Sequence, residues 1–147
     1  MKSIGKIIVL FLLLILFTTL HSHAKSCYDY QGAIYLQNYD GDTIRFDLPG
    51  YPPIAGDDIR VRVNGIDTPE INGKCEKEKY DAQQARDMVA DILKDAERID
   101  LKNMKRGKYF RIAADVIVDG ENLADMLIEV SVAIQYSGGK KTKNWCE

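Results

Sequence analysis

IRVRVNGIDTPE, residues 59–70, is the stretch from which the fold can be read outward. Ile59, Val61 and Val63 fall on one side of it and Arg60, Arg62 and Asn64 on the other, the period-2 signature of a half-buried strand. The alternation breaks at Gly65 and runs into Asp67, Thr68, Pro69 and Glu70, a proline-stiffened turn carrying two carboxylates.

Upstream, residues 31–48 read as two strands around a turn. Ile34 and Leu36 alternate before it and Ile44, Phe46 and Leu48 after it, and Asp40-Gly41 between such runs is a hairpin signal. Residues 49–58 hold Pro49, Pro52, Pro53, Gly50 and Gly56 and read as a loop. Downstream the period changes. Ala85, Met88, Val89, Ile92, Leu93 and Ala96 follow the spacing of an amphipathic helix over residues 75–96. Ile99, Leu101 and Asn103 begin a fourth strand that ends in the basic turn 105–108. In residues 109–118, Phe110, Ile112, Ala114, Val116 and Val118 share one face of a fifth strand, with Tyr109, Arg111, Ala113, Asp115 and Ile117 on the other. Asn122 then caps a short helix with Leu123, Met126, Leu127 and Val130 on one face. A short extended piece at 132–136 and a polar tail finish the chain. Five strands with a helix after the third and another after the fifth predict a β-rich α+β fold, a small closed barrel with helices packed outside.

The first 24 residues stand apart. Lys2 and Lys6 precede an apolar run over residues 7–17, and Ser22-His23-Ala24 offers small residues for cleavage after Ala24. This reads as a signal peptide, residues 1–24, ahead of a single domain at 25–147, and predicts a secreted or periplasmic protein. The alternative is a membrane anchor left uncleaved, for which the run is short. Both histidines, His21 and His23, lie in this segment, so the remaining chain has neither a serine–histidine triad nor histidine-ligated zinc, and its general base must be a carboxylate, lysine or tyrosine. The full chain carries a net charge of −2, which argues against a general nucleic-acid coat protein. Locally the balance reverses: Lys102, Lys105, Arg106, Lys108 and Arg111 form one basic run, and Lys140, Lys141 and Lys143 crowd the tail. Three cysteines in an exported chain make one disulfide and one free thiol. Cys75–Cys146 is the preferred pair because it ties a loose tail to the body, with Cys27 in either role as the alternative. Nothing points to an obligate oligomer.

Asp40 and Asp42 flank Gly41 in DGDT, and Asp67, Thr68 and Glu70 lie in IDTPE. Each motif alone is an ordinary turn. Together they end strands of one sheet and offer hard oxygen ligands without nitrogen or sulfur, a set suited to calcium rather than zinc or copper. Arg62 and Arg111 alone are ordinary residues of solvated strand faces. As a pair they supply the bidentate geometry that grips a phosphate, the charge stabilisation on which phosphoryl transfer depends.

DGDT, then R-x-x-x-x-D-T-P-E, a helix, K-Y-x-R in a strand and a V-D-G turn resemble the staphylococcal nuclease (thermonuclease) family, in its order and over about residues 32–136. The resemblance implies an OB-fold five-stranded barrel with two or three flanking helices and calcium-dependent cleavage of DNA and RNA at the 5′ oxygen, leaving 3′-phosphate ends. It implies Asp42 and Asp67 as direct calcium ligands, Thr68 through its backbone carbonyl, and Asp40 and Glu70 through waters. It also implies Glu70 as the carboxylate that assists the attacking water, Arg62 and Arg111 as the phosphate grip, Lys108 and Tyr109 on a neighbouring phosphate, and Tyr136 as the base-stacking tyrosine. Phe110 stands where the family usually has glycine, the segment after Pro69 is short, and the tail replaces a long third helix. A catalytically inactive binding module of the cell envelope is the alternative, in which the barrel binds nucleic acid or protein without cleaving it.

Overall fold

The computed structural model describes residues 28–107 and 111–147; the expected leader, Cys27 and the expected phosphate contacts Lys108 and Tyr109 lie outside the described residues, as does Phe110. The strands are β1 (Tyr28–Gln31), β2 (Ile34–Asn38), β3 (Thr43–Asp47), β4 (Ile59–Val63), β5 (Ile66–Asp67), β6 (Ile99–Arg106), β7 (Ile112–Val118), β8 (Glu121–Asn122) and β9 (Ile134–Gln135). The helices are α1 (Pro53–Gly56), α2 (Glu76–Asp95) and α3 (Leu123–Glu129).

The main sheet runs β1-β6-β7-β4-β3-β2, with β8 on β7, while β5 pairs with β9. All of these pairings are antiparallel except β4 with β7. The two ends of the path, β1 and β2, are consecutive in the chain and meet at Gly32, whose φ of 75° only glycine adopts freely. They are two halves of one bent strand. The sheet therefore leaves from one half and returns to the other, and the Ala33 N–H donates to Ile99 O at 2.8 Å beside the bend. Counting the bent strand once, with β3, β4, β6 and β7, gives the five strands of an OB-type α+β fold.

Alternation sends Ile44 and Phe46 of β3, Val61 and Val63 of β4, Leu101 of β6, and Ala114 and Val116 of β7 into one core, each at most 1 % exposed. Phe46 is the largest of the fully buried side chains, so its truncation would cost about 3–5 kcal/mol in lost burial and cavity. α2 closes the core with Ala82, Ala85, Val89 and Leu93, and α3 with Leu123 and Leu127. Both helices start at side-chain caps. Cys75 Sγ accepts from Glu78 N, and Asn122 Oδ1 accepts from Ala124 N at 2.9 Å.

Some faces differ from those read in the sequence. Ile34 and Leu36 of β2 are exposed: the register sets Tyr35 opposite the buried Phe46, edge-on against it, and Ile34 opposite Asp47, so Tyr35 takes the inward face, and a bulge follows between Tyr35 and Gln37. Met88 and Val130 also face outward; α3 ends at Glu129, leaving Val130 as its cap. The third strand breaks in two at Asn64-Gly65, which starts β5 on a new pairing with β9. β1 continues the first strand upstream of its predicted start. The loop 49–58 contains the single helical turn α1, begun by Pro52 and Pro53.

Candidate active site

The DGDT and IDTPE turns meet through a glycine. A side chain on Gly41 would lie 2.8 Å from Thr68 Cγ2 and 3.1 Å from Ala85 Cβ, so the hairpin turn can nestle against both the second turn and α2 only because Gly41 lacks one. The β3–β4 register pairs Thr43 with Arg62, and the Val63 N–H donates to Asp42 O at 2.9 Å. Strand pairing thus delivers Asp42 to the arginine, and β5 delivers Asp67 from the other side. Asp40, Asp42, Asp67 and Thr68 are all buried.

Arg62 lies between the carboxylates. Its Nη1 donates to Asp42 Oδ1, its Nη2 stands 3.7 Å from Asp67 Oδ1, and the same nitrogen donates to Ile66 O at 3.3 Å. Lys141 comes in from the tail. Its Nζ is 2.7 Å from Asp67 Oδ1, in an ion pair without hydrogen-bond alignment, and it donates to Glu70 Oε1. The Trp145 indole Nε1–H donates to Asp67 Oδ2 at 3.3 Å.

Negative charge in the cluster still exceeds what these cations neutralise. Burial, and then the neighbouring Asp40 carboxylate, push Asp42 up from its ordinary 3.8 to about 7, against the opposing pull of Arg62. For Lys141, burial favours the neutral amine, but Asp67 and Glu70 outweigh it and hold the ammonium above its ordinary value. Asp67 Oδ1 and Thr68 Oγ1 are buried and accept no hydrogen bond. Buried carboxylates that outnumber their cations, oxygen-only donors and a buried Thr68 hydroxyl without a hydrogen bond fit a hard divalent cation. Calcium suits this inventory.

Residues 60–145 match the model of the family described as staphylococcal nuclease homologue. The chain belongs to this family. No curated protein matches it. The staphylococcal nuclease homologues are nucleases, hydrolases of nucleic acid. The matched region contains β4 from Arg60 on, the IDTPE turn and the tail as far as Trp145. The DGDT hairpin lies upstream of it, so Asp40 and Asp42 join the site through geometry alone.

Of the residues singled out in this staphylococcal nuclease homologue, Asp40, Asp42, Arg62, Asp67, Thr68 and Glu70 form one locality. Arg111 does not touch it. The parallel register sets Val61 opposite Ile112, which puts Arg111 level with Arg60 and one row from Arg62. It lines a groove with Arg60, Arg106, Ile54 and Asp58. Tyr136 lies by Asn64, Gly65 and Asp115, where its N–H donates to Gly65 O at 2.7 Å and its hydroxyl to Gly139 O at 2.6 Å. The expected Cys75–Cys146 disulfide is present, with Cα atoms 6.0 Å apart. Lys141 and Trp145 are the two residues of the locality that patterning missed. The adjacency of Trp145 to Cys146 was the available signal, since a cysteine bound to the start of α2 carries its neighbour to the IDTPE turn.

Proposed function

We propose that this protein is an exported, calcium-dependent nuclease that hydrolyses phosphodiester bonds of DNA, RNA or both and leaves 3′-phosphate ends. The observation that carries this reading is the gathering of Asp42 and Asp67 around Arg62, with Glu70 joined to Asp67 through Lys141. Asp42, Asp67 and Thr68 would hold calcium, with Asp40 and Glu70 acting through waters. When bound, the ion supplies Lewis-acid polarisation of the phosphate and partial neutralisation of its charge.

The chain's own residues do the rest. Glu70 sits at the rim with its side chain 45 % exposed, placed to accept a proton from a water attacking the phosphorus. Arg62 stabilises charge developing on the phosphate oxygens, and Arg111, from the neighbouring groove, grips the same phosphate from the strand side. Lys108 and Tyr109 take an adjacent phosphate, and Tyr136 a base. The 5′ oxygen leaves. The presence of all three of Arg62, Glu70 and Arg111 in the sequence is what favours catalysis over a binding-only module.

Residues 1–24 act as the leader, removed after Ala24, and residues 25–147 as a single staphylococcal-nuclease-like domain working outside the cytoplasm. The disulfide supports an oxidising compartment. The test is degradation of DNA and RNA by the purified protein, with calcium and with a calcium chelator. Cleavage with calcium, abolished by chelation and reduced about 10²–10⁴-fold in Glu70→Ala, is the expected result. Equal cleavage by wild type and Glu70→Ala sinks the reading.

A further inference from the structure

Trp145 is out of character with the tail that carries it. The tail from Ser137 to Asn144 is exposed and polar, yet Trp145 is only 9 % exposed and spends its one polar atom, Nε1–H, on the buried carboxylate of Asp67. Several contacts hold it there. Cys146, the next residue, is bonded to Cys75 at the start of α2, and Lys77 Nζ of the same helix donates to Trp145 O at 3.3 Å. The Asn144 side chain accepts from Cys146 N at 3.2 Å, and Lys143 Nζ lies 5.7 Å from the indole centroid. A bridge that ties off a loose tail needs none of this.

We propose that Trp145 is a positioning residue of the calcium site: the Cys75–Cys146 bridge holds its indole against Asp67, and the indole N–H holds that carboxylate in the orientation that receives the cation. The inference rests on the calcium reading of the Asp42–Asp67 pair. Its physical basis is that a ligating carboxylate is itself oriented by a hydrogen bond from outside the metal's own shell, and losing such a partner costs metal affinity about 10–100-fold. Among the described residues Trp145 is the hydrogen-bond donor to Asp67 Oδ2, while Oδ1 faces the cations of Lys141, at 2.7 Å, and Arg62, at 3.7 Å. Lys141 cannot take over the role, because its ammonium occupies the side of Asp67 that the cation needs. The disulfide then works on metal affinity through a single side chain, distinct from its effect on the unfolded chain.

Calcium binding to the purified, oxidised protein, measured by titration calorimetry with calcium chloride, tests this. Trp145→Phe keeps an aromatic ring and removes only the donor. It is expected to bind calcium at least about tenfold more weakly while its melting temperature stays close to wild type. Reducing the disulfide of wild type is expected to weaken calcium binding by a similar factor, and reducing Trp145→Phe to weaken it little further, because the two changes remove the same contact. Equal calcium affinity in wild type and Trp145→Phe, or losses from reduction and substitution that simply multiply, overturns the inference and leaves the nuclease reading standing. Absence of calcium binding to wild type overturns both. If Trp145→Phe fails to fold, the comparison of oxidised and reduced wild type decides, and unchanged affinity on reduction counts against the proposal.

Discussion

Arg62 and Asp67 hang from paired strands and Asp42 from the residue that enters β3, whereas Lys141 and Trp145 hang from a tail with no ladder of its own. The first group is positioned by register. Thr43 must face Arg62, and sliding β3 by one residue would turn the whole Ile44–Phe46 face out of the core. The second group is positioned by one covalent bond and a few side-chain contacts. Side chains on the ladder move only if the core moves, but those on the tail can be released while the sheet stays intact. One pocket is thus assembled from a rigid part and a detachable part.

The largest effect is expected in the rigid part. Arg62→Ala should lower kcat by about 10²–10³-fold, as loss of one preorganised charge donor does, with amide exchange in β3 and β7 unchanged because Val61 and Val63 still carry the packing. A loss of less than tenfold would mean that Arg62 serves to neutralise Asp42 rather than to grip phosphate.

The detachable part should show itself in stability. Reducing Cys75–Cys146 opens a loop spanning 71 residues and should lower unfolding free energy in urea by about 2–4 kcal/mol. Exchange of the β3 and β4 amides by local opening should stay as slow as before. Faster local opening there would show that the tail also supports the sheet, and the division into two parts would fail.

A smaller effect links charge to pH. Asp42 is raised above its unfolded value, so its share of folding stability is complete below the ordinary carboxylate pKa and is lost as pH climbs through about 7. Metal-free protein should therefore melt at a lower temperature at pH 8 than at pH 5, with calcium reversing the trend. Calcium, which needs the carboxylate ionised, should bind about tenfold more weakly at pH 6 than at pH 8. A calcium affinity independent of pH over that range would mean that Asp42 is already ionised in the fold.

Legibility in the sequence followed the range of the forces. The DGDT hairpin, the α2 stripe at Ala85, Val89 and Leu93, without Met88, and the Asn122 cap are local signals, and each stands where the sequence placed it. The acidic turns and Arg62 were readable because one strand register joins them. The outward aim of Ile34 and Leu36 was not, since it is set by the register of β2 against β3, which alternation alone does not reveal. Nor was the placement of Arg111 level with Arg60, which depends on the parallel β4–β7 register rather than on either strand's pattern. Trp145 was least visible, because its position depends on a bond between residues 71 positions apart in the sequence.

Trp145 also provides the most direct probe of the central claim, being the chain's single tryptophan and bonded to Asp67. Titrating calcium into the oxidised protein while recording its fluorescence should give one saturable change for wild type and none for Asp42→Asn, which removes a proposed calcium ligand other than Asp67, the indole's own partner. A saturable change of the same midpoint in Asp42→Asn, or none in wild type at millimolar calcium, would contradict the account.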